Sequence, residues 1–136
     1  MLQNHKFWYS IRKSFSYIPL SKTSSVKVTD IYKNKTGNAF EIALLFQKYF
    51  SDNSYQTKLY KVKGLDHNHK PTEFIFCLYR PITGIWWRVV TYHLPPIPAI
   101  LFPLWWYFST IYEMGEINYR IDHTIIWKQD GDPTNL

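Results

Sequence analysis

Cysteine and glycine are scarce in this 136-residue chain, and each scarcity excludes a class of protein. The single cysteine, Cys77, excludes an intramolecular disulfide and gives no sign of a disulfide-stapled secreted fold. Only five glycines are present, and no glycine-rich loop follows a strand to hold a nucleotide phosphate. No serine lies in a nucleophile elbow, and no carboxylates are spaced to divide acid and base roles. We therefore predict no enzyme activity and no cofactor.

Acidic residues are also scarce, which leaves the chain basic. Sixteen lysine and arginine residues outnumber ten acidic ones, for a formal net charge of +6. Twelve of the sixteen are lysines, which favours diffuse attraction to anionic lipid or nucleic acid over bidentate phosphate recognition by arginine. The first acidic residue is Asp30, and the basic segment before it resembles a mitochondrial transit peptide in composition. That segment has no apolar core of the kind found in a secretory signal.

Aromatic residues are abundant, at 19% of the chain, and two tryptophan pairs bracket the apolar part of residues 84–112. In this apolar block only Arg88 and His93 could carry charge at neutral pH. As a helix, residues 94–112 would span about 28 Å, close to the hydrocarbon core of about 30 Å. Tryptophan and tyrosine, which flank this stretch, are enriched at membrane interfaces. The block therefore has the length and the borders of a membrane segment.

Four prolines leave three interpretations of this block open. Pro95, Pro96 and Pro98 fit only the first turn of a helix, and Pro103 would kink it. Residues 94–112 are thus a single membrane-spanning helix, an interfacial segment covered by partner protein, or a buried helix of a soluble domain. Basic residues before the block and acidic residues after it would place the N-terminal side of a spanning helix in the cytoplasm or matrix.

The periodicity of apolar residues predicts a single α+β domain over residues 1–136, with a small antiparallel sheet and two to three helices. Residues 1–20 contain a basic amphipathic helix that lies either on an anionic membrane or on the protein's own core. Residues 21–29 are predicted to be a linker or a short edge strand. Asn38, with Glu41 three residues later, forms a capping box at the start of a core helix.

A β-hairpin is predicted to follow this helix, so that residues 38–83 form a helix-plus-hairpin unit. Residues 55–63 carry lysines on both faces, which suits an edge strand. Residues 73–80 are apolar on both faces, which suits a central strand. Residues 116–128 alternate with period two, as in a half-buried strand, and residues 129–136 form a polar tail.

Few residues are candidates for a specific site. Asp66, His67 and His69 in the hairpin loop are weak candidates for metal ligands, because their spacing matches no closed zinc pattern. A polar loop is the simpler interpretation, and we predict no metal site. The hairpin lysines and tyrosines would suit single-stranded nucleic acid, although lysines also protect solvated sheet edges. The predicted basic surface comprises Lys6, Arg12, Lys13, Lys58, Lys61 and Lys63.

The apolar block and the basic surface together indicate an interface protein. The predicted membrane or partner interface comprises Trp86, Trp87, Arg88, Pro95, Pro96, Pro98, Pro103, Trp105, Trp106, Tyr107 and Tyr112. We predict a non-catalytic accessory subunit of a membrane protein complex, such as an energy-transducing assembly of the mitochondrial inner membrane, with other subunits and lipid as partners. One alternative is a cytoplasmic protein-binding factor of the immunity or inhibitor type. The other is a basic ribonucleoprotein component, with nucleic acid the less favoured partner.

Overall fold

The computed structural model describes residues 3–17, 27–90, 94–101 and 103–118, which form an α+β fold. Its α-helices are α1 (Gln3–Ser14), α2 (Val28–Asn34) and α3 (Ala39–Asp52). The short strands β1 (Ser16–Tyr17) and β2 (Thr36–Gly37) form a parallel pair beside them. The main sheet consists of β3 (Gln56–Leu65), β4 (Pro71–Arg80), β5 (Trp87–Val90), β6 (Leu94–Pro98) and β7 (Thr110–Ile117). The predicted α+β class with a small antiparallel sheet is confirmed.

The third helix, α3, begins at the predicted capping box. The side chain of Asn38 accepts a hydrogen bond from the backbone N–H of Glu41, and Glu41 Oε1 accepts one from the backbone N–H of Asn38, both at 2.9 Å. These reciprocal bonds satisfy two N–H donors that a helix start leaves open. Every residue from 42 to 50 is buried, which confirms the predicted core helix.

The first helix, α1, turns its apolar face to the protein's own core. Phe7, Trp8 and Ile11 are buried, and the Phe7 ring stacks on Tyr49 of α3 with centroids 3.9 Å apart. Phe7 also meets Phe46 edge-on at 5.7 Å. Of the two interpretations of this amphipathic helix, packing against the core is therefore the one that the structure shows.

The main sheet has the strand order β6-β5-β4-β3-β7, and every neighbouring pair is antiparallel. The β3–β4 hairpin is confirmed, and β4 is a central strand between β5 and β3, as predicted. The prediction that residues 55–63 form an edge strand is wrong, because β7 returns across the sheet and pairs with β3. Two of the three β3 lysines form cross-strand ion pairs, Lys61 with Glu73 at 3.5 Å and Lys63 with Glu113 at 3.9 Å.

The two faces of the sheet are covered differently. The helices cover one face, where Leu59, Cys77 and Val89 are buried in the same cluster as the apolar residues of α1 and α3. The chain between β6 and β7 covers the other, where Phe108 packs with Val62, Phe76 and Val90. This chain has to cross the sheet because β6 and β7 are its opposite edges. We call residues 99–109 the crossover.

Gly64 allows the crossover to lie close to β3. A Cβ atom at this position would lie 2.0 Å from the backbone oxygen of Thr110 and 2.8 Å from the ring of Phe108. The ladder between β3 and β7 also shifts register beside Gly64, between it and Lys63. Only a residue without a side chain fits a backbone approach as close as this.

The apolar block does not form one continuous helix. Residues 94–112 contain β6, a 3-10 turn at Ala99–Leu101, a second 3-10 turn at Leu104–Trp106 and the start of β7. The prolines explain this result, since a strand with few N–H donors is tolerated at a sheet edge, where β6 lies. Pro103 is the N-cap of the second 3-10 turn. Among the helices that the structure describes, none is long and apolar enough to cross a membrane.

Several predicted boundaries differ from the observed ones. β7 begins at Thr110, inside the apolar block, whereas a strand was expected over residues 116–128. Residues 119–128 and the predicted tail at 129–136 lie outside the described residues. Most of the predicted linker at residues 21–29 also lies outside the described residues, but the end of this linker belongs to α2, which begins at Val28. This seven-residue helix has no side-chain cap at its start, so it gives little local signal.

Candidate interaction surface

Two turns lie side by side at one end of the main sheet. One is the β4–β5 turn at residues 81–86, and the other is the 3-10 turn Ala99–Leu101 that follows β6. Trp87 pairs with Pro98 in the sheet, and the backbone N–H of Ala99 donates to the oxygen of Trp86 at 3.0 Å. This bond continues the ladder beyond the strands and fixes the turns next to each other.

Both turns expose aliphatic side chains. Ile82 on the first turn and Ile100 on the second are 74% and 84% exposed. Ile85, which follows the first turn's Gly84, and Leu101, which follows Ile100, are also exposed. We call Ile82, Ile85, Ile100 and Leu101 the apolar end of the sheet. Single exposed apolar residues are normal on protein surfaces, but four on adjacent turns are typical of a binding surface.

Two cations lie against the tryptophan of the first turn. Lys58 Nζ lies 5.2 Å and Arg80 Cζ lies 4.6 Å from the ring centroid of Trp86, both within the range of a cation–π interaction. Arg80 Nε also donates to Gln56 Oε1 at 2.7 Å, which holds the guanidinium in place. The apolar end is therefore bordered by fixed positive charge, and two of the predicted residues, Trp86 and Lys58, meet there.

The other tryptophan pair lies at the opposite end of the sheet. Trp105 and Trp106 are 64% and 51% exposed, and their rings meet at 65° with centroids 5.8 Å apart. His67 Nε2 lies 3.0 Å from the backbone oxygen of Trp105, so this part of the crossover contacts the β3–β4 loop. The Ser109 hydroxyl donates to the backbone oxygen of Asp66 at 2.8 Å and strengthens the same contact.

Two of the three weak metal-ligand candidates of the β3–β4 loop, Asp66 and His67, make other hydrogen bonds. Asp66 Oδ1 accepts backbone N–H groups of Asn68 at 2.8 Å and Lys70 at 2.9 Å, which closes the loop. The bond from Lys70 contributes most to holding the pKa of the Asp66 carboxyl below its usual value. His67 contacts Trp105, and His69 has a positive φ of 62°. Within the described ranges, no three His, Cys, Asp or Glu side chains are grouped to hold a metal ion.

Several predicted interface residues lie inside the protein instead. Arg88 is 8% exposed, and its guanidinium carbon lies 5.1 Å from the ring centroid of Phe76. Burial lowers the pKa of Arg88, and burial raises the pKa of Tyr107 while the Arg88 charge opposes that rise. Pro96 is buried and Trp87 is half-buried, with its ring 6.3 Å from that of Tyr79.

The remaining predicted residues are spread over the surface. Pro95, Pro98 and Pro103 are half-buried, and Tyr112 is exposed on β7. The α1 cations are exposed, and two of them, Arg12 and Lys13, lie over the rings of Trp8 and Tyr9. The predicted interface and basic surface are thus not one continuous surface.

Sequence reasoning missed the apolar end itself. Its isoleucines and leucine are residue types that are usually buried, and the predicted interface was assigned to tryptophan and proline. One signal was present, because Pro81 and Gly84 mark a turn in which Ile82 and Ile85 have no strand to join. Apolar residues in a turn are exposed wherever nothing packs over the turn.

The described surface supports noncovalent binding through apolar contacts at the turns, cations at their border and exposed indole rings at the far end. No family model matches the chain, and no curated protein or solved structure matches it either.

Proposed function

We propose that the chain is a non-catalytic accessory subunit of a membrane protein complex, and that it attaches to the membrane surface through the apolar end of the sheet. The observation that carries this proposal is the exposure of four aliphatic side chains on two adjacent turns next to two fixed cations. Aliphatic side chains insert into the outer part of a lipid layer, while lysine and arginine attract anionic headgroups. Trp86, between the two kinds of residue, suits the interfacial region.

Charge complementarity favours lipid over a protein as the occupant of the apolar end. The chain carries a formal net charge of +6, and a cation near an anionic surface contributes about 1 kcal/mol. The attachment is peripheral, because the turns belong to a folded sheet and most of the apolar block forms β6, the crossover and the start of β7.

The exposed pair Trp105–Trp106 would contact another subunit of the complex. Tryptophan is enriched among the residues that dominate protein–protein binding energy, and this pair lies at the far end of the sheet from the apolar end. The same pair favours the second candidate function, a soluble protein-binding factor, if the chain proves not to bind lipid.

Co-sedimentation with lipid vesicles tests the proposal. Vesicles of phosphatidylcholine and of phosphatidylcholine with phosphatidylserine are compared, and the chain is expected to bind the anionic vesicles more tightly, with an advantage that falls as salt is added. The double change Ile82→Ser and Ile100→Ser should weaken binding to both vesicles by more than about tenfold, since a buried aliphatic side chain contributes about 1.5–3 kcal/mol. The double change Lys58→Gln and Arg80→Gln should weaken binding to the anionic vesicles alone.

The matched control is the double change Trp105→Ser and Trp106→Ser, which removes two apolar side chains that are also more than half exposed, from the opposite end. It should leave vesicle binding within about 0.5 kcal/mol of the unchanged chain. Failure of the unchanged chain to bind either vesicle would overturn the membrane proposal and favour the protein-binding factor. Equal losses from the two double serine variants would show that the lipid contact is not specific to the apolar end.

A further inference from the structure

Two cations converge on one tryptophan ring on the sheet face that the crossover covers. Lys58 follows the alternation of β3 and points away from Leu59, which is buried under the helices. Arg80 is paired with Gln56 in the β3–β4 ladder, so Lys58 and Arg80 are diagonal neighbours on the same face. Lys58 Nζ and Arg80 Cζ lie 5.2 Å and 4.6 Å from the ring centroid of Trp86. The two positive charges are therefore held close together.

Neither of these cations has a carboxylate partner among the residues that the structure describes. On the opposite face of β3, Lys61 is neutralised by Glu73 at 3.5 Å. Glu116 of β7 is a diagonal neighbour of Lys58 across the sheet, but the described ion pairs do not join them. The pair Lys58 and Arg80 thus keeps a charge that the sheet does not compensate.

The guanidinium of Arg80 is held in a way that leaves donors available. Its Nε donates to Gln56 Oε1 at 2.7 Å, and its two Nη nitrogens form no hydrogen bond with a described residue. Arginine offers its N–H groups in a planar fork that matches the oxygens of a phosphate. Because Gln56 and the Trp86 ring already restrict this side chain, little further freedom is lost when an anion binds.

Two neighbouring cations favour an anion that concentrates its charge on one group. A phosphate monoester carries a charge of about −1.5 to −2 at pH 7 and has three strong acceptor oxygens. A phosphodiester carries a single charge, and the serine headgroup adds an ammonium that Lys58 and Arg80 would repel. The site therefore matches a monoester better than the other common anionic headgroups.

The neighbouring apolar end favours a lipid as the source of this group. Trp86 follows Ile85 directly, so insertion of the turn into a lipid layer would hold the two cations at the level of the headgroups. We propose that Lys58 and Arg80 bind the phosphate monoester of a lipid headgroup, as found in phosphatidic acid. This inference deepens the proposed function by naming the lipid class, and it rests on that function for the membrane contact.

Co-sedimentation of the full chain with two kinds of vesicle tests the proposal. Both contain phosphatidylcholine, one with phosphatidic acid and the other with phosphatidylserine, in amounts that give the same zeta potential. The chain should bind the phosphatidic acid vesicles about tenfold more tightly, because only they present the monoester. Arg80→Lys, which keeps the charge and loses the planar fork, should weaken this binding about fivefold and leave binding to the phosphatidylserine vesicles unchanged.

A matched pair of lysine variants separates the site from net charge. Lys58→Gln and Lys61→Gln remove the same charge from the same strand, one on each face of the sheet. Lys58→Gln should reduce the preference for phosphatidic acid to about threefold or less, whereas Lys61→Gln should retain it. Equal effects of the two variants on the preference would overturn the proposal. Both lysines are half-buried at the surface, and circular dichroism verifies that each variant is folded.

A soluble monoester examines the site without a membrane. Glycerol 3-phosphate should shift the NMR signal of the Arg80 Nε–H with a millimolar dissociation constant, and glycerophosphoglycerol, a diester, should bind about tenfold more weakly at constant ionic strength. Stronger displacement of glycerol 3-phosphate by single-stranded oligouridylate than by phosphatidic acid vesicles would assign the site to nucleic acid and overturn the lipid headgroup.

The two proposals fail in different ways. Equal binding of the unchanged chain to the two matched vesicles would overturn the monoester site and leave membrane attachment in place. Failure to bind either vesicle would contradict the membrane function. If glycerol 3-phosphate still bound in that case, the ligand would be a soluble monoester and the lipid source would be wrong.

Discussion

Replacing Phe7 by alanine tests whether α1 is part of the folded core. Phe7 is fully buried, stacks on Tyr49 at 3.9 Å and meets Phe46 edge-on at 5.7 Å. Truncating a buried phenylalanine costs about 3–5 kcal/mol, and aromatic pairs add about 0.5–1.5 kcal/mol beyond the buried area. We therefore expect the free energy of unfolding to fall by about 4 kcal/mol.

This loss is large for a chain of this size. Domains are typically stable by about 5–15 kcal/mol, so Phe7→Ala would remove a major part of that stability. An unfolding entropy of about 0.3 kcal/mol per kelvin for 136 residues converts the loss to a fall in Tm of about 10–17 °C. Urea unfolding followed by circular dichroism measures the free energy, and calorimetry measures the Tm.

Tyr9→Ala is the matched control, because Tyr9 lies on the same helix and is 60% exposed. Its effect should stay within about 0.5 kcal/mol. If Phe7→Ala changed stability as little as this control, α1 would not pack on the core. A loss of vesicle binding in the same variant would then identify α1 as a helix that lies on the membrane.

Three further predictions follow from local contacts. Asn38→Ala should lower the free energy of unfolding by about 1 kcal/mol in urea titrations, because the capping box with Glu41 is lost, and Asn38→Asp, which keeps the cap oxygen, should not. Cys77 should react with a thiol reagent only after denaturant is added, since the side chain is buried and burial raises its pKa, and rapid absorbance change in the folded protein would contradict this. The stability that the Asp66 carboxylate gives to the β3–β4 loop should be fully present above its ordinary pKa of 3.8. It should be lost as the pH falls through the lower pKa that this carboxyl has in the folded chain. The protection of the Lys70 amide, taken as its exchange rate relative to the intrinsic rate at the same pH, should fall over that acidic range, and an unchanged transition in Asp66→Asn would assign the effect to another group.

Local signals were enough to predict the elements whose contacts are local. The capping box at Asn38 involves residues three apart, and the β3–β4 hairpin joins strands that are neighbours in sequence. The position of β3 in the sheet depends instead on β7, which pairs Leu59 with Ile117 across more than fifty residues. Lysines on both faces of a strand indicate polar surroundings, and they do not distinguish solvent from the glutamates of a neighbouring strand.

The apolar block was interpreted by its length, and its length was misleading. Nineteen residues without fixed charge match a spanning helix only if they form one helix. Pro95, Pro96 and Pro98 are consistent with the first turn of a helix and equally with an edge strand, and the choice depends on whether β5 offers a free edge. β5 pairs with β4 on one side and leaves its other side to β6, and this arrangement is a property of the whole sheet.

The surface could be predicted only in part, because the side chains alternate along each strand. Trp87 and Arg88 are adjacent in sequence, yet they lie on opposite faces of β5, and the crossover then buries Arg88. Trp105 and Trp106 are exposed because the second 3-10 turn packs Tyr107 against the apolar cluster on the sheet and leaves both indole rings on the surface. Neither outcome is visible without knowing that β7 lies at the far edge.

Arg88 explains why membrane attachment should involve the turns and not the whole apolar block. A buried cation is costly unless nearby groups compensate for lost water, and here the crossover places Tyr107 near the guanidinium while Phe76 lies 5.1 Å beneath it. Lifting the crossover into lipid would separate these groups and would expose Val62 and Phe76 on the sheet. The exposed isoleucines of the two turns, of which Ile85 and Ile100 belong to the block, can enter lipid without any such loss.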